Sequence, residues 1–301
     1  MGQRHLPLER MSEGGGGADP TLVILAAGRA RRYGGCKPLA PVGPHGEAVI
    51  DLVASDAVAA GFGTIVLVLG PSTGPAIRYH VEHTWPEAVD VRFATQSAPL
   101  GTVHAVLSAS DHVGDTPYGV GNADDIYGRA ACAQLVTHLR AQADVNALVG
   151  YRLDDAVVGT SPVTRGICRI AEDGMLLGVD ERRQVTRTPD GGFVAGDGKE
   201  PTQLSPDSRV SMNLWGFTPA FHKTLRSAMD AAVDASEESE VLLPEVVADS
   251  LTSSSFSVLS AQGRCIGVTH PDDLSLVQAE LNRQVAAGER PASLWASTRQ
   301  R

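Results

Sequence analysis

One stretch limits the fold more than any other, the run LAAGRARRYGGCKPLAPVGP from Leu25 to Pro44. The residues leading into it, TLVIL from Thr21 to Leu25, are apolar, rich in β-branched side chains and free of charge, which is the pattern of a short buried strand. The strand gives way to Ala26-Ala27-Gly28, where small residues permit a tight turn and let backbone N–H groups come close to a ligand. Arg29, Arg31 and Arg32 follow, then Gly34-Gly35 and Lys37. Amides, guanidinium groups and an ammonium in one glycine-rich loop after a strand are the parts that hold a triphosphate. The plainer alternative is a strand followed by a solvated basic loop.

Two familiar phosphate loops are excluded. A Walker A loop ends in Gly-Lys-Ser/Thr, whereas Lys37 here follows Cys36 and precedes Pro38. A dinucleotide fingerprint needs G-x-G-x-x-G, and Ala30 stands at its second glycine.

Beyond the loop the chain alternates strands and helices. Glu47 to Ala60 carries apolar residues at helical spacing and ends at Gly61, a natural helix stop. Thr64 to Leu69 and Val91 to Thr95 read as strands, Thr102 to Ala109 as a helix, and Tyr118 to Gly121 as a strand leading into Asn122-Ala123-Asp124-Asp125. This order predicts a parallel sheet covered on both faces, with ligands at the carboxyl ends of its strands. The later half is less regular. Asn146 to Tyr151, Ile167 to Ile170 and Val210 to Phe217 read as strands, and Pro219 to Val233 as a helix. Gly191 to Ser208 reads as a polar loop, Ser236 to Glu240 as a solvated acidic connection, and Pro271-Asp272-Asp273 as the start of a last helix. With no internal repeat and no evident linker, residues 1–20 are expected to form a flexible tail and 21–295 one domain.

A net charge of −10 over 301 residues argues against coating nucleic acid, which needs a basic face, and leaves room for a local basic pocket for one nucleotide. No apolar run approaches the ~20 residues of a membrane span. Cys36, Cys132, Cys168 and Cys265 are widely spaced, which suits free thiols in a reducing compartment better than a disulfide framework or a zinc site. The reading is a soluble cytoplasmic protein, with room for a homo-oligomer.

The first loop resembles the L-A-A-G-x-G-x-R-x-G-G-x-K-P pattern of the sugar-1-phosphate nucleotidylyltransferases, which join a nucleoside triphosphate to a sugar 1-phosphate and release pyrophosphate. GNADDIYG (Gly121 to Gly128), VSMNLWGFTP (Val210 to Pro219) and GVTHPDDL (Gly267 to Leu274) resemble segments of the same family in the same order. The resemblance implies a Rossmann-like three-layer α/β fold with a mixed, mostly parallel sheet, and makes 21–295 a single nucleotidyltransferase catalytic domain, its nucleotide half over about 21–150 and its sugar-phosphate half over about 151–295. It implies Mg²⁺ as cofactor, and as substrates a nucleoside triphosphate and a sugar or sugar-like cyclitol 1-phosphate. It also implies roles for single residues. Ala26, Ala27, Gly28, Arg32, Lys37, Gln96, Gly101 and Thr102 would bind the nucleotide, with Gly28, Arg32 and Lys37 on its phosphates and Gln96 and Gly101 on its base. Asp124 would hold the metal, making Arg32, Lys37 and Asp124 the catalytic set. Gly166, Glu181, Arg182 and Asn213 would bind the sugar phosphate, with Arg182 where better-known relatives carry a lysine. Adjacent residues at a strand end point opposite ways, so Asp125 is expected to be structural.

The chemistry agrees with these residue types. A phosphate monoester is already an anionic nucleophile near neutral pH, so no general base is needed. Fixed cations and a metal stabilise the charge that grows on departing pyrophosphate. Three departures from the family pattern stand out. Ala30 puts a β-carbon into the loop, Gly267 cannot supply the expected second metal carboxylate, and Arg182 replaces lysine. They leave two competing readings, transfer to a non-sugar phosphate acceptor and a catalytically silent nucleotide-sugar sensor.

Overall fold

The structure, a computed structural model, describes residues 19–28, 35–159, 161–235, 240–267 and 274–295. Residues 1–18 of the expected tail, Ala30 and Arg32 in the basic loop, Ser236 to Ser239 and Pro271 to Asp273 lie outside the described residues.

The first half runs β1 (Thr21–Ala26), α1 (Val49–Ala60), β2 (Thr64–Leu69), α2 (Gly74–Thr84), β3 (Asp90–Thr95) and α3 (Gly101–Leu107). It continues with α4 (Ser110–Val113), β4 (Tyr118–Asn122), β5 (Asp125–Ile126), α5 (Arg129–Ala141) and β6 (Asn146–Arg152). The second half runs α6 (Leu153–Ala156), β7 (Val163–Ile170), β8 (Leu176–Arg187), β9 (Phe193–Ala195), β10 (Gln203–Leu204) and β11 (Arg209–Phe217). It ends with α7 (Pro219–Ala235), α8 (Leu243–Ser250), β12 (Phe256–Ser260), β13 (Ile266–Gly267) and α9 (Leu274–Ala286).

Eleven strands from both halves form one sheet in the order β10-β9-β8-β7-β11-β4-β1-β2-β3, with β6 joining through β11 and β12 through β6. Following the pairings, β11, β8 and β10 run against β1 and the other strands run with it, so the sheet is mixed and mostly parallel. Period-two alternation divides its side chains between two cores. Leu22, Ile24 and Ala26 of β1 pack with α1, α2, α5 and α9, while Val23 and Leu25 pack with α3, α7 and α8. Helices thus cover both faces, giving the three-layer α/β architecture that the sequence predicted. No helix among the described residues is long and apolar enough to cross a membrane.

Two buried carboxylates fix the outer elements. Asp51 in the first turn of α1 accepts from the Ala48 N–H (2.8 Å), Trp85 Nε1 (2.7 Å) and His80 Nε2 (2.8 Å), tying α2 to the start of α1. Asp56 receives a two-pronged bond from Arg290, at 2.9 and 2.7 Å, which docks the segment after α9. Both partners of that second pair are sealed from solvent, so losing either alone would leave a buried charge unmatched, at a cost of about 3–5 kcal/mol.

The sheet differs from the sequence reading at its far edge. Gly191 to Ser208 is not all loop, because Phe193, Ala195 and Leu204 are buried and form β9 and β10. The long strand β8 was not expected at all, since its DERRQ centre has no apolar run. Helices α2 and α5 were also unread; α2 buries only Gly74, Ile77 and Val81, too few for a marked pattern.

A polar chain docks α7. Burial keeps the Tyr118 phenol protonated, so its hydroxyl donates to His222 Nδ1 (2.7 Å), and His222 Nε2–H donates to Ser110 Oγ (3.0 Å). Ser110 in turn donates to the Leu107 carbonyl (2.6 Å). Burial, with help from the Arg226 charge, holds His222 below its ordinary 6.5. The folded state therefore binds this proton less readily than the unfolded chain, and the contribution of His222 is complete only above pH 6.5. Urea unfolding at a series of pH values should show stability falling as pH drops from 6.5 through the folded-state value, with a shallower fall in His222→Gln. An unchanged slope in that variant would contradict the assignment.

Candidate active site

A cleft of about 670 Å³ opens at the carboxyl ends of the parallel strands β1, β2 and β4. The chain leaving β1 contributes Ala27 and Gly28 to its wall, with Ala26 buried just behind them. The loop after β2 contributes Gly70, Pro71 and Ser72.

The next wall is the loop between β3 and α3. Gln96 is largely buried and hangs from β2 by its N–H, which donates to the Leu69 carbonyl at 2.9 Å. Its side-chain Nε2 donates to the Gly101 carbonyl, also at 2.9 Å, so the loop closes on itself. Gly101 has φ +90°, and a Cβ built there would fall 2.3 Å from the Val241 carbonyl oxygen. Only glycine tolerates both conditions. The chain crossing at that point is hydrogen-bonded on both sides. Val241 N–H donates to Leu100 O, Val103 N–H donates to Val241 O, and Leu243 N–H donates to Thr102 Oγ1. Gln96, Gly101 and Thr102 all face the cleft.

The acidic turn after β4 forms the floor. Asp124 lines the cleft with its carboxylate 36% exposed, and Lys37 Nζ lies 3.6 Å from it. Asp125 turns underneath, where its Oδ2 accepts from Asn122 Nδ2 at 2.9 Å. Burial first, and the neighbouring Asp124 charge second, push the Asp125 carboxyl up to about 6. Opposite it, in the β5–β13 pair, is Gly267. A Cβ there would lie 2.6 Å from Asp125 Oδ1, so the Asp125 carboxylate fills the space a side chain at 267 would need.

Mg²⁺ is commonly held through one or two carboxylates, its shell completed by phosphate oxygens and water. Asp124 in the cleft wall, backed by Asp125, has the donor chemistry for that arrangement. Among the described residues no larger group of metal ligands gathers.

Tyr127 is the residue that sequence reasoning missed. Buried against Gly121, its hydroxyl accepts from the Asn122 N–H (2.7 Å) and donates to the Met212 carbonyl (3.0 Å). One phenol thus joins the acidic turn to β11 next to Asn213. The only sequence signal was its position inside GNADDIYG, a segment noticed for its aspartates.

Asn213 also lines the cleft. It has φ +58°, within a register slip of β11 between Ser211 and Trp215. Such slips re-aim side chains, and asparagine is among the residues that accept the left-handed region.

The remaining expected residues sit on the neighbouring strands. Gly166 pairs with both Ser211 and Glu181, which puts all three on the sheet face that carries the cleft. Glu181 is exposed and accepts from Arg183 Nε at 2.8 Å. Arg182 is directed otherwise. It stands opposite Arg165, on the other face, where only 5% of its side chain is exposed. There it binds both oxygens of Asp197, at 2.9 and 3.0 Å, and the carbonyls of Pro201 and Lys199. The guanidinium holds the Asp197 carboxyl well below the usual range. Strand alternation therefore overrides the expectation of a phosphate-binding Arg182, whose donors serve the β9–β10 loop instead. Arg32 lies outside the described residues.

The profile of the MobA-like NTP transferase domain matches residues 22–243. No curated protein matches the sequence. Similar solved structures include a UDP-glucose pyrophosphorylase complexed with UDP-glucose, 14% identical, covering 88% of this chain and 99% of that one with a TM-score of 0.60. Another is a UDP-glucose pyrophosphorylase from Acinetobacter baumanii, 16% identical, covering 89% and 99% with a TM-score of 0.60. At these identities the likeness establishes the fold. The family match covers most of the chain, and the protein belongs to the MobA-like NTP transferase family as a nucleotidyltransferase.

Proposed function

We propose that this enzyme transfers a nucleoside monophosphate from a nucleoside triphosphate to a sugar 1-phosphate or a sugar-like cyclitol 1-phosphate, with Mg²⁺ as cofactor and within one catalytic domain. The observation that carries the reading is the single cleft into which the Ala27–Gly28 turn, the Gln96–Thr102 loop, Asp124 and Asn213 all project. The fold shared with two UDP-glucose pyrophosphorylases lends support.

In this reading the amides around Gly28 and the Lys37 ammonium receive the triphosphate. Gln96, Gly101 and Thr102 border the base. Glu181, Gly166 and Asn213, on the sheet face that carries the cleft, receive the acceptor. An oxygen of the acceptor phosphate attacks the α-phosphorus, forming the new P–O bond. The bond from that phosphorus to the β-phosphate bridging oxygen breaks, and pyrophosphate departs with the electron pair. Lys37 offsets the charge that builds on the departing group, an effect that grows toward the transition state. Mg²⁺ held at Asp124 would supply further charge neutralisation across the phosphates. A non-sugar phosphate acceptor is a second reading, favoured by the engagement of Arg182 with Asp197, which removes one cation from the acceptor side.

Asp124→Ala should lower Mg²⁺-dependent pyrophosphate release by about 10³-fold or more. Its carboxylate is 36% exposed, so thermal unfolding should barely change. Wild-type release in this variant would remove the metal assignment. Tyr127→Phe leaves two buried backbone groups without their partner and should cost about 1–3 kcal/mol in urea unfolding. It should also lower kcat, because Asn122 and Met212 lose their common anchor.

A further inference from the structure

On the nucleotidyl-transfer reading given above, we propose that Lys37 is an exchangeable counter-ion of the metal carboxylate. Its ammonium holds Asp124 until a triphosphate draws it away, so that a divalent cation is accepted together with the nucleotide and poorly before it.

The acidic turn brings two carboxylates together, Asp124 in the cleft wall and Asp125 beneath it. The charges of Arg165 and Lys37 both act on Asp125, and Lys37 also reaches Asp124. The two cations are held very differently. Arg165 is anchored, its Nε and Nη2 donating to the Ala156 carbonyl at 3.2 and 2.7 Å and its Nη1 to the Thr164 carbonyl at 2.8 Å. Lys37 Nζ lies 3.6 Å from Asp124 Oδ2, outside the N–H···O range of about 2.7–3.2 Å. Among the described residues its ammonium makes no hydrogen bond. The contact is one of charge alone, and a competing anion can replace it.

The root of this side chain is fixed all the same. Lys37 opens a 3₁₀ turn, Lys37–Leu39, in which Pro38 restricts the backbone and the Ala40 N–H donates to the Lys37 carbonyl at 2.9 Å. The turn is pinned to α1 by the Val49 N–H, which donates to the Ala40 carbonyl at 3.1 Å. It is pinned to α9 by Gln278 Nε2, which donates to the Pro41 carbonyl at 3.0 Å. Only 18% of the Lys37 side chain is exposed. A rigid root with a flexible four-carbon stem lets the ammonium change partners without moving the backbone.

Mg²⁺ binds about 2.0–2.1 Å from a carboxylate oxygen, so on Asp124 it would lie within about 6 Å of the ammonium where Lys37 now stands. A divalent ion and an ammonium that close repel each other when one carboxylate is their shared anion. Lys37 therefore opposes a bare metal ion at Asp124. A triphosphate reverses the balance, because its oxygens accept from the ammonium and supply further ligands for the metal. Each cation then has its own anion. Metal and triphosphate binding are coupled through this exchange, and the coupling acts equally in both directions.

The test is Mn²⁺ binding without nucleotide, followed by electron paramagnetic resonance, in the wild-type protein, Lys37→Met, Lys37→Arg and Asp124→Asn. Beside it, binding of GTP, UTP, CTP and ATP is measured in EDTA. Lys37→Met should bind Mn²⁺ at least about 5-fold more tightly than the wild type, and the preferred triphosphate at least about 10-fold more weakly. Lys37→Arg keeps the charge and should bind Mn²⁺ no more tightly than the wild type. The gain in Lys37→Met should persist as KCl rises from about 0.1 to about 1 M, which shortens the Debye length from about 10 to about 3 Å. A gain that salt removes would make Lys37 one charge in a general field and overturn the inference. So would unchanged or weaker Mn²⁺ binding in Lys37→Met, or a triphosphate affinity that this variant leaves intact. In each case loss of Mn²⁺ from Asp124→Asn keeps the metal assignment standing. Mn²⁺ binding that ignores Asp124→Asn would overturn the inference and the metal assignment together, and failure to bind any triphosphate would overturn nucleotidyl transfer as well.

Discussion

Everything at the cleft depends on the parallel register of β1 between β2 and β4. Leu25 lies level with Val68 on one side and with Asn122 on the other, so three strands end at the same height. Their hydrogen bonds are cheap to satisfy only because apolar side chains on both faces are sealed by helices. The loops that follow inherit that alignment: Ala27–Gly28 from β1, Gly70 from β2 and Asn122–Asp125 from β4. Even Gln96 hangs from it, through the Leu69 carbonyl. A slip of one residue would send Ala27 and Asp124 to different faces.

Backbone constraints then refine what the register delivers. The positive φ of Gly101 lets the chain at Val241 cross the loop between β3 and α3. The left-handed Asn213 turns a strand residue into the cleft. Tyr127 links the acidic turn to that same strand by one hydroxyl. Gly101 and Asn213 are local departures from regular backbone geometry that the surrounding sheet holds in place.

The parallel half of the fold was legible because its strands are uninterrupted apolar runs, as in Thr21 to Leu25 and Thr64 to Leu69, each bounded by small or glycine-rich turns. The far edge was not. β8 carries Asp180, Glu181, Arg182 and Arg183 in succession, and four consecutive charges erase the apolar signal on which strand reading depends. The same stretch shows why a short motif misleads about side chains. Glu181 and Arg182 are neighbours in sequence and opposites in space, and the buried Asp197 that claims Arg182 is fifteen residues away.

The central claim is that the cleft joins the α-phosphate of a nucleoside triphosphate to a phosphate acceptor. ³¹P NMR would follow it directly, using the protein with Mg²⁺, each common triphosphate, and a panel of sugar and cyclitol 1-phosphates. One pairing should yield pyrophosphate and, in equal amount, a nucleoside diphosphate ester of the acceptor whose two phosphates are joined by an anhydride. Orthophosphate released from the γ-position, or unchanged spectra from a folded protein with nucleotide bound, would contradict it.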